Sequence, residues 1–311
     1  MESRLPAHAF GGTEQMMARI SSSFDKKLLE RFQIIPGRVR ELTEGVKHIA
    51  YFHDLPGDRE MERFKDATFR NQFDKLVFVS DWQMQMANLH LGIPFSESIV
   101  IRNAIEPIEV DVSKKFEDSE IIQVIYHTTP HRGLGILYQV FDAISDVIPN
   151  IHLDVFSSLG IYGLPEKDKP YENLFNSINS HKNMTYHGWK PNDVIREALK
   201  KAHIFAYPSI WPETSCLAMI EAMSAGCLVV HPNYAALPDT SNKFGISYQW
   251  DENPDEHAKT FARYLYETII MLKDKQTVIS KQNFQKKFFD RFYNWHFVKN
   301  EWLSLFNQLL P

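Results

Sequence analysis

The sequence of 311 residues predicts an α/β protein built as two halves, each around a parallel sheet. Three observations carry that prediction. Short apolar runs rich in β-branched and aromatic residues alternate with longer amphipathic stretches throughout, the pattern of strand and helix units around a parallel sheet. The chain is long enough for two ordinary domains, and its 44% hydrophobic content suits two packed cores. One charged stretch, PIEVDVSKKFEDSE at 107–120, falls between two alternating series and reads as a linker.

In the first series the pattern predicts a helix from Thr13 to Ser22, strands from Arg31 to Pro36 and Val46 to His53, and a helix from Arg59 to Asn71. A strand from Leu76 to Ser80, a helix from Asp81 to Leu91 and a strand from Ser98 to Arg102 complete it. The second series gives strands at Ile122 to Tyr126, Ile151 to Phe156, Met184 to His187, Ile204 to Tyr207 and Leu228 to His231. Between them lie helices from Gly135 to Val147, Asp193 to Lys201 and Ser215 to Ala225. The C-terminal stretch is helical in pattern and ends in FYNWHFVKNEWLSLF, where Phe297, Trp302, Leu305 and Phe306 could share an apolar face. The expected domains are 1–109, 110–290 and a terminal helix, 291–311, packing back toward the first. The chain shows no internal repeat and no low-complexity segment.

Thirty-four basic and 39 acidic residues give a net charge of -5, which supplies no general field for nucleic acid or an anionic bilayer. Any phosphate must therefore be bound locally. No apolar run reaches the roughly 18 to 20 residues that span a bilayer, and the N-terminal MESRLPAHAFGG lacks the apolar core of a signal peptide. A soluble protein is expected, with peripheral membrane contact left open. The two cysteines, Cys216 and Cys227, flank one predicted helix without a second pair, which suggests neither a disulfide framework nor a thiolate zinc site and fits a reducing cytoplasm.

The most informative stretch is IFAYPSIWPETSCLAMIEAMSAGCLVVH, 204–231, which parses as strand, Pro-rich loop, helix, Gly stop and strand. Thr214 or Ser215 is the expected N-cap and Gly226 the C-terminal αL residue. Glu213 falls just before this helix, and Glu221 about two turns inside it among Leu217, Met219, Ile220 and Met223, where a carboxylate needs a partner. Strand C-terminal ends and helix N-termini meet at the ligand crevice of open α/β sheets, and the helix N–H groups favour phosphate. On spacing alone, Glu213 would read as a solvated loop residue and Glu221 as a helix-surface residue paired to a lysine.

The surrounding order of features changes that. Tyr207, Pro208, Ser209, Glu213, Glu221, Ala222, Met223, Ala225 and Gly226 resemble the E-x7-E signature of retaining GT-B glycosyltransferases, especially family four. The resemblance implies two Rossmann-like domains facing across a cleft, a nucleotide-diphosphate sugar as co-substrate and a carbohydrate or other hydroxyl acceptor. The first domain would be the acceptor side and the second the nucleotide-sugar side. One departure is that Thr214, Ser215 and Cys216, followed by Leu217, stand where the family often has Gly-Phe-Gly.

The same resemblance covers further segments. IYHTTPHRGLGIL matches the donor-phosphate loop, with Arg132 at the basic position and Thr128 or Thr129 where a second basic residue is usual. An always-charged fork suits a diphosphate and the charge that develops as it departs. MTYHGWKPNDVIREALKKAHIFAYPS resembles the nucleobase loop, in which Gly188 would approach through its backbone, while His187 and Trp189 carry no assigned contact. Gly11 and Gly12 in FGGTEQ resemble the Gly-Gly loop that approaches donor phosphate and acceptor. His53, with Asp54 at a strand end, would position the transferred sugar. Asn103 matches an asparagine at the close of the first domain, where Arg102 and Ala104 replace the usual Pro and Gly. Ten residues precede the Gly-Gly loop, fewer than the strand with which family members begin, so the first sheet is expected to lack that strand through reduction or truncation.

The implied reaction is transfer with retention. Arg132 stabilises the departing diphosphate, Glu213 holds donor-sugar hydroxyls, Glu221 holds the ribose and His53 lines the reaction centre. Neither glutamate is expected to be a covalent nucleophile. No metal or cofactor is expected, since helix dipole and Arg132 take the place of a divalent cation. Alternatives are a nucleotide-sugar epimerase or phosphorylase, and a sugar-nucleotide-binding protein with impaired catalysis. No G-x-G-x-x-G follows any strand, which argues against a nicotinamide dehydrogenase.

Overall fold

The computed structural model describes residues 11–39, 41–117 and 120–310. Residues 1–10, on which the expectation of a missing first strand falls, lie outside the described residues.

The first half opens with helix α1, Gly12–Ser23, which buries Met16 and Ile20 one turn apart. A short helix, α2, Lys26–Leu29, is capped by Asp25. Strands β1 (Phe32–Pro36), β2 (Lys47–Phe52), β3 (Lys75–Phe78) and β4 (Ser98–Val100) form a parallel sheet in the order β1-β2-β3-β4. The expected helix from Arg59 to Asn71 is instead a 3-10 turn, Met61–Lys65, and a four-residue helix, α3, Ala67–Arg70. The break falls at Asp66, whose side chain accepts from Thr68 N at 2.8 Å and so starts a new helix where the pattern implied a continuous one. Helix α4, Asp81–Leu91, is capped by Ser80 and ends at Gly92 in the αL region.

The crossing into the second half comes earlier than the charge pattern implied. Ile101 and Ala104 belong to the first core, Ile105 and Ile108 to the second. The stretch read as a linker carries helix α5, Val112–Glu117. Val112 and Phe116, one turn apart, bury into the second core, while buried Lys115 donates to the carbonyls of Leu199 (3.1 Å) and Ala225 (2.7 Å). High charge concealed a packed helix because its lysine caps backbone rather than facing water.

The second half runs β5 (Ile122–Tyr126), α6 (Leu134–Val147), β6 (Ile151–Val155), α7 (Glu172–Ser180), β7 (Met184–Tyr186), α8 (Asn192–Leu199) and β8 (Ile204–Ala206). It continues through α9 (Leu217–Ser224), β9 (Leu228–Pro232), α10 (Leu237–Ser241) and β10 (Ile246–Tyr248). The six strands are parallel in the order β10-β9-β8-β5-β6-β7. The chain winds outward from β5 to β7 and then resumes at β8 on the other side of β5. That reversal makes the C-terminal ends of β5 and β8 the natural ligand crevice.

Helices α11 (Pro254–Met271) and α12 (Lys275–Phe292) pack on the second half. Helix α13, Trp295–Leu309, returns to the first, where Val298, Trp302, Leu305 and Phe306 share a core with Ile49, Tyr51 and Val77. Phe297 does not join this face and is 45% exposed, because it falls one residue, about 100° of helix, from Val298. The two crossings lie side by side: Ile105 N donates to Tyr293 O (2.8 Å) and Trp295 N to Ile105 O (2.9 Å).

Candidate functional site

Two loops build the floor of a cleft between the halves. One follows β5 and carries His127, Thr128, Thr129 and Arg132; the other follows β8 and carries Tyr207 to Glu213. They meet at a contact that only glycine permits. Gly133 has φ +119°, and a Cβ there would overlap the carbonyl oxygen of Pro208. This contact brings Arg132, on the 3-10 turn Pro130–Arg132, against Glu213.

Arg132 Nη1 donates to Glu213 Oε1, and the Tyr207 hydroxyl donates to the same oxygen. Glu213 is 5% exposed, and no hydrogen bond to its Oε2 occurs among the described residues. Burial opposes the charge on Arg132, but the Glu213 carboxylate beside it raises its pKa well above the ordinary value. Burial, helped by Glu213, likewise pushes the Tyr207 hydroxyl well up. Arg132 Nη2 donates to the hydroxyl of Tyr162 at 3.1 Å. Tyr162 ends a 3-10 turn, Leu159–Tyr162, in a segment whose sequence pattern gave no signal.

Glu221, 4% exposed, also lines the cleft. Its two oxygens accept from Asn192 Nδ2, both at 3.1 Å, and Oε1 accepts from Arg196 Nη1 at 3.3 Å. Burial raises its pKa, against the pull of these two partners. The partner required by a buried carboxylate is thus supplied from α8. Asn192 and Arg196 sit at i and i+4 on that helix, but their reach to α9 depends on tertiary packing that sequence spacing does not encode.

The first half contributes Gly11, Gly12, His53 and Asn103 to the same cleft. A Cβ on Gly11 would stand 3.0 Å from Tyr162 Cε1, and one on Gly12 would stand 3.0 Å from Leu217 Cδ1, so the loop lies directly on the second half. Burial lowers the pKa of His53 to about 3, so its ring is neutral. Its carbonyl accepts from the Thr214 hydroxyl at 2.9 Å. Thr214 and Ser215 therefore do not cap α9. The N-cap is Cys216, without a side-chain hydrogen bond, since the Thr214 hydroxyl is spent across the cleft.

Of the sequence-derived site residues, Gly11, Gly12, His53, Thr128, Thr129, Arg132, Glu213, Thr214, Ser215, Cys216, Leu217 and Glu221 line this one cleft. Gly188 does not. It turns the chain after β7 at φ +67°, beside His187, whose ring stacks on Phe156 and bonds Asp154 at 2.7 Å. A lone positive-φ glycine signals the turn but not its distance from the cleft.

Five buried side-chain atoms in the cleft have no hydrogen-bond partner among the described residues: His53 Nε2, His127 Nε2, Thr128 Oγ1, Thr129 Oγ1 and Arg132 Nε. Burial also holds His127 neutral, with a pKa of about 3. Buried polar groups are normally paired, so their concentration at one crevice marks a place built for a polar ligand. Among the described residues, no cluster of three or more His, Cys, Asp or Glu is arranged to hold a metal ion.

Residues 106–282 match the family model of glycosyl transferases group 1. No curated protein matches the chain's sequence. In structure it is similar to a glycosyltransferase from Rickettsia africae, with TM-score 0.69 and 14% identity over 100% of this chain and 84% of that one. It is also similar to sucrose-phosphate synthase from Thermosynechococcus elongatus, with TM-score 0.64 and 15% identity over 85% and 68% of the two chains. Anabaena HepE in complex with UDP and glucose aligns with TM-score 0.63 and 14% identity over 85% and 72%. At such identities the likeness establishes the fold, which is GT-B.

Proposed function

Because the chain belongs to the glycosyl transferases group 1, we propose that it transfers a sugar from a nucleotide-diphosphate donor to an acceptor hydroxyl, with retention of anomeric configuration. The observation that carries this reading is the set of unpartnered polar atoms on the loop after β5 and on His53, in the same cleft that Glu213 lines.

In this reading the diphosphate lies against Thr128, Thr129 and the Arg132 turn at the start of α6, where helix N–H groups add to the field. Glu213 receives donor-sugar hydroxyls on Oε2 while Arg132 and Tyr207 hold Oε1. His53, neutral, positions the sugar and does not act as a charged group. The ribose lies toward Glu221 and Asn192. The C1–O bond breaks with its electron pair going to the diphosphate. The acceptor oxygen bonds C1 on the same face, and its proton passes to the departing phosphate. We assign no metal and no organic cofactor to this step. Since HepE was solved with UDP and glucose, a uridine nucleotide is the first donor to try. We place the protein in the cytoplasm, where its two free, buried cysteines stay reduced, acting in glycan or polysaccharide synthesis. No described helix is long and apolar enough to cross a membrane.

Nucleotide release from a panel of nucleotide sugars, with and without glycan acceptors, tests the reading, with product configuration read by proton NMR. Acceptor-dependent release and a product of unchanged anomeric configuration are expected. Inversion would overturn retention, and turnover without an acceptor would point to an epimerase or hydrolase. Tight donor binding without any turnover would favour a binding protein.

A further inference from the structure

The phosphate end of this cleft has less positive charge than a diphosphate calls for. Arg132 is already engaged by Glu213, and threonines stand where a second basic residue is expected. Resting on the donor-site reading above, we propose that Tyr162 is the second phosphate-binding group, its hydroxyl donating a hydrogen bond to the diphosphate in place of a second cation.

The direction of one hydrogen bond supports this. A guanidinium only donates, so in the 3.1 Å contact between Arg132 Nη2 and Tyr162 the hydroxyl oxygen must be the acceptor. The hydroxyl proton is therefore left for another group, and no acceptor for it occurs among the described residues. Tyr162 lines the same cleft as Thr128, Thr129 and Arg132. Accepting from a cation polarises the O–H and strengthens its donation to an anion. In this role the hydroxyl donates a hydrogen bond to phosphate oxygen as the C1–O electron pair arrives there.

The turn that carries Tyr162 is held in place. Asp168 accepts from Leu159 N at 2.7 Å and from the Ser158 hydroxyl, fixing the start of the turn, and the Tyr162 ring packs against Gly11 from the first half. The hydroxyl thus sits at the meeting of both halves, on an anchored backbone.

Titration calorimetry of wild type and Tyr162→Phe provides the test, using whichever of UDP, GDP or ADP wild type binds most tightly and its matching nucleoside. The variant keeps the ring against Gly11 and removes only the hydroxyl. It should bind the diphosphate roughly 10- to 100-fold more weakly, the range for a hydrogen bond to a charged group, and bind the nucleoside as wild type does. Unchanged nucleoside affinity also verifies that the variant is folded. Unchanged diphosphate affinity, or an equal loss for nucleoside and diphosphate, would overturn the role of Tyr162 while leaving the donor site standing. A wild-type protein that binds none of the three diphosphates would overturn the donor-site reading and this proposal with it.

Discussion

Arg132 and Glu213 lie 81 positions apart and form an ion pair at the floor of the cleft, where the loops after β5 and β8 converge. Each side chain is held in place by the other at the point where the cleft needs them. Preorganisation of this kind lowers the cost of both binding and transfer.

Removing one member of the pair should hurt more than removing both. Arg132→Ala leaves the Glu213 carboxylate buried with only Tyr207 on it, and should cost about 3–5 kcal/mol of stability. Arg132→Met combined with Glu213→Leu should recover most of that loss while abolishing donor turnover. Urea denaturation of the three proteins provides the comparison. Equal losses in single and double variants would mean that the pair carries no ionic coupling.

Gly133→Ala should be among the most damaging single-methyl additions in the chain. The residue would be held at φ +119° with its Cβ overlapping the Pro208 carbonyl, and the two loops would have to part. A loss of about 3 kcal/mol or more is expected, with Arg132 drawn away from Glu213. A variant that melts and turns over donor like wild type would show that the loop contact is dispensable.

Most of the fold was legible because most strands are compact apolar runs with a clear break after them. What escaped depends on distance in the chain. Strand β10, Ile246–Tyr248, is three residues with Ser247 exposed, too short to show a period. Helix α5 was masked by its charged residues, of which Lys115 is buried for a reason only the surrounding backbone explains. At the site, Arg132 and Glu213 sit in local motifs that sequence can display. Tyr162, Asn192 and Arg196 act through partners 30, 29 and 25 positions away, and nothing near them in sequence announces it.

Acid should destabilise the protein through its buried histidines. His53 and His127 have folded pKa values of about 3 against about 6.5 when unfolded, so between these values the unfolded chain binds more protons. Stability should be level above about pH 6.5 and fall below it, by up to about 2.7 kcal/mol per pH unit from the pair. Replacing both with glutamine should make the fall in denaturation midpoint between pH 4 and 6.5 shallower, the remaining slope coming from His131, His203 and His231, whose pKa values burial lowers to about 4; an unaltered slope would mean that neither ring is buried neutral.

Ala235 adopts φ +49° on the loop after β9, next to Ala236, whose N–H donates to the Glu213 carbonyl at 3.0 Å. Strain there trades against chain entropy. Ala235→Gly should be neutral or stabilising by about 1 kcal/mol, and Ala235→Val destabilising by about 1–2 kcal/mol. Thermal melts of the two variants check the ordering. The reverse order would show that Ala235 is unstrained.

The central claim is that the unpartnered atoms around Arg132 are completed by a nucleotide-diphosphate sugar. Its most direct test is the melting temperature of wild type against a panel of nucleotide sugars, with the Arg132→Met, Glu213→Leu protein as control. A donor at about 100 times its Kd adds about 2.7 kcal/mol to the folded state, a rise of several degrees. The account predicts that rise for at least one nucleotide sugar in wild type and none in the control. No rise with any nucleotide sugar, or the same rise in both proteins, would contradict it.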